Sequence, residues 1–162
     1  MGLNTHGVIL EKASQGRTDA AEELARRVSP ATSVRCNELL AKHTTLRVGG
    51  PADLYVEPAS EEDLAAVLAW CQERSLPFFV LGRGSNLLVK DEGYRGAAVC
   101  LAHAFFRRIE TDGERLKCGA GARLKTVVAE AKRNSLAGLE FLEGIPGSVG
   151  GALRMNAGAM EG

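Results

Sequence analysis

The stretch Phe78-Phe79-Val80-Leu81-Gly82-Arg83-Gly84-Ser85-Asn86-Leu87-Leu88-Val89 decides how the chain is read. Phe78 to Leu81 reads as a buried strand and Leu87 to Val89 as another, with the loop Leu81 to Asn86 between them. Glycine permits positive φ and close backbone approach, so Gly82 and Gly84 can turn several N–H groups toward one point. Such a nest holds an anion, typically a phosphate, and Ser85 and Asn86 add side-chain donors. Two familiar phosphate loops do not fit. A dinucleotide fingerprint needs G-x-G-x-x-G opening a helix and a P-loop needs G-K-[ST] opening one, whereas β-rich sequence follows here. A tight β–β turn, in which glycine serves the backbone alone, is the other reading of this loop taken by itself.

Upstream, Met1 to Thr18 reads as a loose leader, and Ala21, Leu24, Ala25 and Val28 share one face of a short helix that Pro30 ends. Asn37 to Gly50 reads as an irregular lead-in and Asp53 to Val56 as a short strand. Ser60 followed by Glu61, Glu62 and Asp63 is a helix start, with Leu64, Val67, Leu68 and Cys71 as its apolar stripe and Ser75-Leu76-Pro77 as its stop. Downstream, Asp91-Glu92-Gly93 predicts a turn and Ala97 to Leu101 a third strand. Ile109 to Leu116 predicts a hairpin with Asp112-Gly113 at its tip. Gly119-Ala120-Gly121 leads into a second amphipathic helix through Leu124, Val127, Val128 and Ala131. Helices mixed with strands too closely spaced for regular βαβ crossovers predict an α+β fold.

A second glycine-rich run, Gly144-Ile145-Pro146-Gly147-Ser148-Val149-Gly150-Gly151-Ala152, carries little secondary-structure signal. A loop of this length inside a compact domain is either functional or disordered, and the interleaved Ile145, Val149 and Leu153 argue against disorder. Two apolar-lined backbone cradles suit a ligand with a pyrophosphate and a flat ring, such as a flavin dinucleotide. Glycine-rich sequence up to Gly162 gives terminal backbone little to pack with, so the chain is expected to stop in mid-protein.

Twenty basic side chains balance twenty acidic ones among 162 residues, which removes a generic electrostatic reason for nucleic acid or an anionic membrane as partner. No run approaches the ~20 apolar residues of a membrane span, and no signal peptide is seen, so a cytoplasmic location is expected. Cys36, Cys71, Cys100 and Cys118 form no C-x-x-C pair and read as small buried hydrophobes, with no metal site expected.

The stretches His43 to Ala52, Leu81 to Asn86, Asp91 with Gly93, Gly119 to Gly121, Gly138 to Glu140, Gly144 to Ala152 and Met155 to Ala159 together resemble the UDP-N-acetylenolpyruvoylglucosamine reductase family of bacterial peptidoglycan synthesis. The resemblance covers residues 37–162. It implies a two-lobed FAD-binding domain of the vanillyl-alcohol-oxidase (PCMH) type at residues 37–162, after a leader with a short helix at residues 1–36. The family's C-terminal substrate domain is expected to be absent from these 162 residues. By position, it implies cofactor contacts from Gly82, Gly84, Ser85, Asn86, Gly121, Ile145, Gly147, Ser148, Gly150, Gly151, Asn156 and Gly158. Arg83 either meets a phosphate or faces solvent. The family takes NADPH as co-substrate and reduces the enolpyruvyl group of UDP-N-acetylenolpyruvoylglucosamine through the flavin. Its arginine, proton-donating serine and glutamate lie beyond the Asn156-Ala157-Gly158-Ala159 motif and have no counterparts in this sequence.

Among other residues, His43 and His103 lack a carboxylate or cysteine at ligand or triad spacing and read as solvated or core histidines. Trp70 reads as packing, Glu140 as a ring-orienting or surface acid, and Arg47 as a weaker phosphate candidate. Two alternatives stay open: another noncovalent flavoenzyme of the same fold, and a non-catalytic phosphate- or nucleotide-binding module. On the reductase reading, the purified 162-residue chain should give no NADPH-dependent reduction of enolpyruvyl substrate. Measurable turnover by it would refute that expectation.

Overall fold

The computed structural model describes residues 16–158; the expected leader up to Gln15 and the tail from Ala159 lie outside them. A helix, α1, occupies residues 16–25. Four strands follow: β1 Ser33–Leu39, β2 Pro51–Glu57, β3 Phe78–Leu81 and β4 Tyr94–Cys100, with helix α2 Glu61–Glu73 between β2 and β3. They form one sheet in the order β1-β2-β4-β3, in which β1 runs antiparallel to β2 while β2 and β3 both run parallel to β4. A separate hairpin joins β5 Ile109–Asp112 to β6 Arg115–Cys118, with Gly113 in the left-handed region at its tip. Helices α3 Leu124–Arg133 and α4 Val149–Met155 complete the α+β arrangement.

Period-two alternation along the central strands sorts the core into two clusters. Leu54, Val56, Ala97 and Val99 face one way and pack with Leu24 of α1 and Val67, Trp70 and Cys71 of α2. Tyr55, Ala98 and Cys100 face the other way, with Ala52, Leu40 and Leu81. Both faces of β2 and β4 are covered, which is why these strands read as apolar runs. Trp70 is fully buried as expected, and its indole N–H donates to Glu23 of α1 at 3.1 Å. Cys71 and Cys100 are buried, whereas Cys36 and Cys118 are only half-buried.

The N-terminus of α2 is built as its sequence predicts. The Ser60 hydroxyl accepts from the Asp63 N–H at 3.1 Å, and three acids occupy the first turn. Asp63 turns inward, accepting from the Ser29 N–H at 2.7 Å, the Ser29 hydroxyl at 2.6 Å and the Thr32 hydroxyl at 2.7 Å. These bonds tie the connection after α1 to the start of α2.

Three expectations are corrected. Leu87 to Val89 is not a strand. Because β3 and β4 are parallel neighbours, the chain must return to the start of β4 between them, and residues 82–93 make this return without a helix. Along it Leu87 and Val89 pack on the second core cluster while Leu88 stands 75% exposed. The lead-in from Asn37 begins inside β1, an edge strand whose alternate positions are only half-buried, which weakened its signal. That strand crosses the boundary drawn after Cys36, and Leu24 of the short helix belongs to the sheet's own core. The second glycine-rich run holds α4, where Gly150 and Gly151 lie within the helix despite a cost of roughly 1 kcal/mol each relative to alanine. Among the described residues, no helix is long and apolar enough to cross a membrane.

Burial pushes the Asp63 carboxyl up, but its hydrogen bonds from Ser29 and Thr32 outweigh this and hold it below the usual aspartate value. A carboxyl depressed in the folded state contributes stability that is complete above the unfolded pKa of about 3.9. The contribution is lost as pH falls through the folded value. Asp63→Ala is therefore expected to cost about 3 kcal/mol at neutral pH, for loss of three hydrogen bonds to a carboxylate. Thermal unfolding across pH should show the gap from wild type closing in acid; a gap constant down to pH ~2 would contradict this role for the carboxylate.

Candidate functional site

The two glycine-rich segments face each other across one cleft of about 740 Å³. One wall is β3 with Gly82 to Asn86, and the other is residues 145–152 with the later turn of α4. Leu101, Ala120 and Gly121 contribute between them. Of the residues read from sequence as cofactor contacts, Gly82, Arg83, Gly84, Ser85, Asn86, Gly121, Ile145, Gly147, Ser148, Gly150 and Gly151 line this cleft. Asn156 and Gly158 do not. Asn156 is the left-handed C-cap of α4, its N–H donating to Leu153, and only its neighbours Met155 and Ala157 reach the cleft.

The first loop has the electrostatics of an anion cradle. Among the described residues, no protein acceptor receives the backbone N–H groups of Arg83, Gly84, Ser85 and Asn86. Gly84 is in the left-handed region at φ +62°. A side chain there would collide with the His43 carbonyl, since an added Cβ would lie 2.1 Å from that oxygen. Gly82 has a different use: its bare Cα lets the Ser148 hydroxyl approach, with an added Cβ only 3.0 Å from it. The Ser85 hydroxyl donates to the Pro146 carbonyl at 3.2 Å, so the two walls touch at this point.

The second wall is organised otherwise. Ser148 is buried and caps α4 by accepting from the Gly151 N–H at 3.3 Å. The next amides are already engaged, Val149 with the Ala122 carbonyl at 2.9 Å and Gly150 with the Ala120 carbonyl at 2.8 Å. The start of α4 is thus spent on holding the turn from Gly119 to Ala122, not left open for an anion. Gly119 and Gly121 are packing glycines as well, since added Cβ atoms would meet the carbonyls of Phe106 at 2.2 Å and Leu101 at 2.0 Å.

Among the described residues, two cations, Arg83 and Arg154, and no carboxylate line the cleft. Arg83 lines the cleft and is exposed. Arg154 and Met155 went unrecognised, although both follow Gly150, Gly151 and Ala152 along α4 and a helical period through the glycine run would have signalled them. Phe78, Phe79 and Val80, a buried strand by sequence, supply apolar wall to the cleft, with Val80 53% exposed. The other candidates lie elsewhere. The Glu140 carboxylate accepts from the Gly138 N–H at 2.8 Å and closes a local turn. His103 caps a 3-10 turn by accepting from the Phe105 N–H at 3.3 Å. His43 has a carboxylate partner that sequence spacing did not suggest, Glu38 at 3.0 Å. Among the described residues no group of three or more His, Cys, Asp or Glu side chains is placed to hold a metal ion.

A pyrophosphate with a flat ring fits these features. Unaccepted amides and two cations meet negative charge, and apolar walls on β3 and the 145–152 segment offer a surface for a ring. The comparisons agree. A family model described as an FAD binding domain matches residues 52–162. The UDP-N-acetylenolpyruvoylglucosamine reductase of Pelobacter propionicus is 49% identical over 124 residues, 76% of this chain and 41% of that protein. Its counterpart in Heliobacterium modesticaldum is 49% identical over 125 residues, 77% of this chain and 40% of that protein. The crystal structure of the reductase (MurB) from Thermus caldophilus aligns with a TM-score of 0.65 and 42% identity, covering 80% of this chain and 44% of that one. The chain thus spans less than half the length of the relatives it matches.

With FAD as the family's cofactor, Gly84→Ala is expected to weaken FAD binding at least ~10-fold, because the loop must shift off the His43 carbonyl. Gly113→Ala carries the same left-handed strain at the hairpin tip, where an added Cβ meets nothing, and should leave binding unchanged. Fluorescence titration with FAD separates the two; equal affinities would contradict the cradle geometry. Fold, cleft and family match together establish that the chain belongs to the FAD binding domain family.

Proposed function

We propose that the chain holds FAD noncovalently as part of a UDP-N-acetylenolpyruvoylglucosamine reductase, which reduces that sugar nucleotide to UDP-N-acetylmuramate with NADPH in peptidoglycan synthesis. The observation that carries the reading is the cleft itself: among the described residues, four amides without a protein acceptor, two arginines and no carboxylate, facing apolar walls. The three relatives described above, at 42–49% identity, are reductases of this sugar nucleotide, which supports the substrate.

Bound FAD would supply the hydride-carrying chemistry, which no side chain can provide. This chain's residues bind and orient. Arg83 to Asn86 direct their amides at the pyrophosphate, Arg83 and Arg154 neutralise its charge, and β3 with residues 145–152 excludes water from the ring. Gly147 permits close approach, since an added Cβ there would meet only the Ser85 hydroxyl at 4.0 Å. Among the described residues no histidine lines the cleft, in keeping with a noncovalent cofactor. Asn156 acts at one remove in this reading, ending α4 so that Met155 and Ala157 face the cleft. A cytoplasmic setting, with the functions in cell-wall growth and division that the reaction serves, belongs to the same proposal.

A chimaera tests it. The matched 124 residues of the Pelobacter propionicus reductase are replaced by those of this chain. The expected result is a yellow protein that oxidises NADPH only when the enolpyruvyl sugar nucleotide is present. A folded chimaera that retains FAD yet gives no substrate-dependent oxidation would overturn the assignment to this reaction.

A further inference from the structure

We propose that His43 is a positioning residue for the phosphate-binding loop: bonded through its ring to both β1 and β2, it fixes the backbone carbonyl on which Gly84 rests. This inference relies on the FAD reading of the cleft.

The side chain of His43 bridges two strands. Its Nε2 lies 3.0 Å from the Glu38 carboxylate on β1, and its Nδ1 lies 3.1 Å from the Tyr55 hydroxyl on β2. The His43 and Tyr55 rings also stack at 4.2 Å between centroids. Glu38 only accepts, so Nε2 carries a proton; in the neutral ring Nδ1 then accepts, and the Tyr55 hydroxyl donates. The hydrogen bond from His43 outweighs burial and keeps the Glu38 carboxyl below the usual range, which favours this arrangement.

The backbone of the same residue meets the glycine loop. An added Cβ on Gly84 would lie 2.1 Å from the His43 carbonyl and 2.8 Å from the Thr44 Cα, so the loop lies directly on this segment. Two residues on, the Thr45 N–H donates to the Gly84 carbonyl at 3.0 Å. The segment continues along the return path, where the Gly50 N–H donates to the Lys90 carbonyl at 2.8 Å. Its start is therefore pinned to the sheet by one imidazole, and its length forms the bed of residues 82–93. A core needs no polar chain at this place; a phenylalanine at Tyr55 and an apolar residue at His43 would fill the same space. What the chain of three polar groups adds is a fixed position, which lowers the ordering needed when the loop takes a ligand.

The test uses the full 162-residue chain as wild type, His43→Ala and Tyr55→Phe, the last removing only a hydroxyl. FAD affinity is measured by titration, the bound pyrophosphate by 31P NMR, and apo-protein stability by thermal unfolding. The expected result is FAD binding weakened roughly 10-fold by His43→Ala and less by Tyr55→Phe, the size of one lost hydrogen bond to a charged group. Both variants should move the 31P resonances while the visible flavin spectrum stays unchanged. If His43→Ala does not fold, Tyr55→Phe decides alone through its 31P shift. Folded variants with wild-type affinity and wild-type 31P resonances overturn the positioning role. Failure of the wild type itself to bind FAD overturns the cofactor reading, and this inference with it.

Discussion

Parallel pairing of β3 with β4 is the constraint from which the site follows. A strand that ends at Leu81 and a parallel neighbour that starts at Tyr94 leave the chain a full strand length to retrace. Most proteins make that return with a helix, which would satisfy its own amides. Here residues 82–93 make it as irregular backbone laid against residues 43–50. The amides from Arg83 to Asn86 then have no secondary structure to join, and they are left beside a cleft. Unsatisfied donors at the carboxyl end of a sheet make a place for an anion.

The bed under that return is as specific as the loop. Gly50 and Gly93 have no room for side chains against the backbone of Asp91 and Pro51, where added Cβ atoms would each lie 1.9 Å from a carbonyl oxygen. Gly84 makes the corresponding close approach to His43. Three glycines thus allow two irregular segments to lie in backbone contact, and the polar bridge through Glu38, His43 and Tyr55 anchors one of them to the sheet. The opposite wall uses other means, a serine cap and two amide bonds that lock α4 onto the turn at Gly119 to Ala122.

Much of this was legible in the residues. The cap at Ser60, the strand Phe78–Leu81 and the hairpin at Gly113 carry local signals strong enough to survive without tertiary context. Gly82 to Asn86 and Ile145 to Gly151 named eleven cleft residues when Arg83 and Gly121 are counted with them. What escaped depends on partners distant in sequence. Leu87 to Val89 has the composition of a strand, but it lies on the return path to the start of β4, where Leu87 and Val89 pack on the second core cluster instead. Gly150 and Gly151 disfavour a helix, and the Ser148 cap with the carbonyls of Ala120 and Ala122 offsets that cost. The carboxylate beside His43 is five residues away along the chain, a spacing that becomes a contact only because a strand and a 3-10 turn meet at a corner.

The central claim is that the amides of the β3-to-β4 return hold the cofactor's phosphates. Hydrogen–deuterium exchange of the purified chain with and without FAD addresses it residue by residue. The account predicts slowed exchange on FAD addition at Arg83 to Asn86, whose amides have no acceptor among the described residues, and little change at Val149 and Gly150, whose amides are already bonded. Protection confined to other regions, with exchange at Arg83 to Asn86 unaltered by saturating FAD, would contradict it.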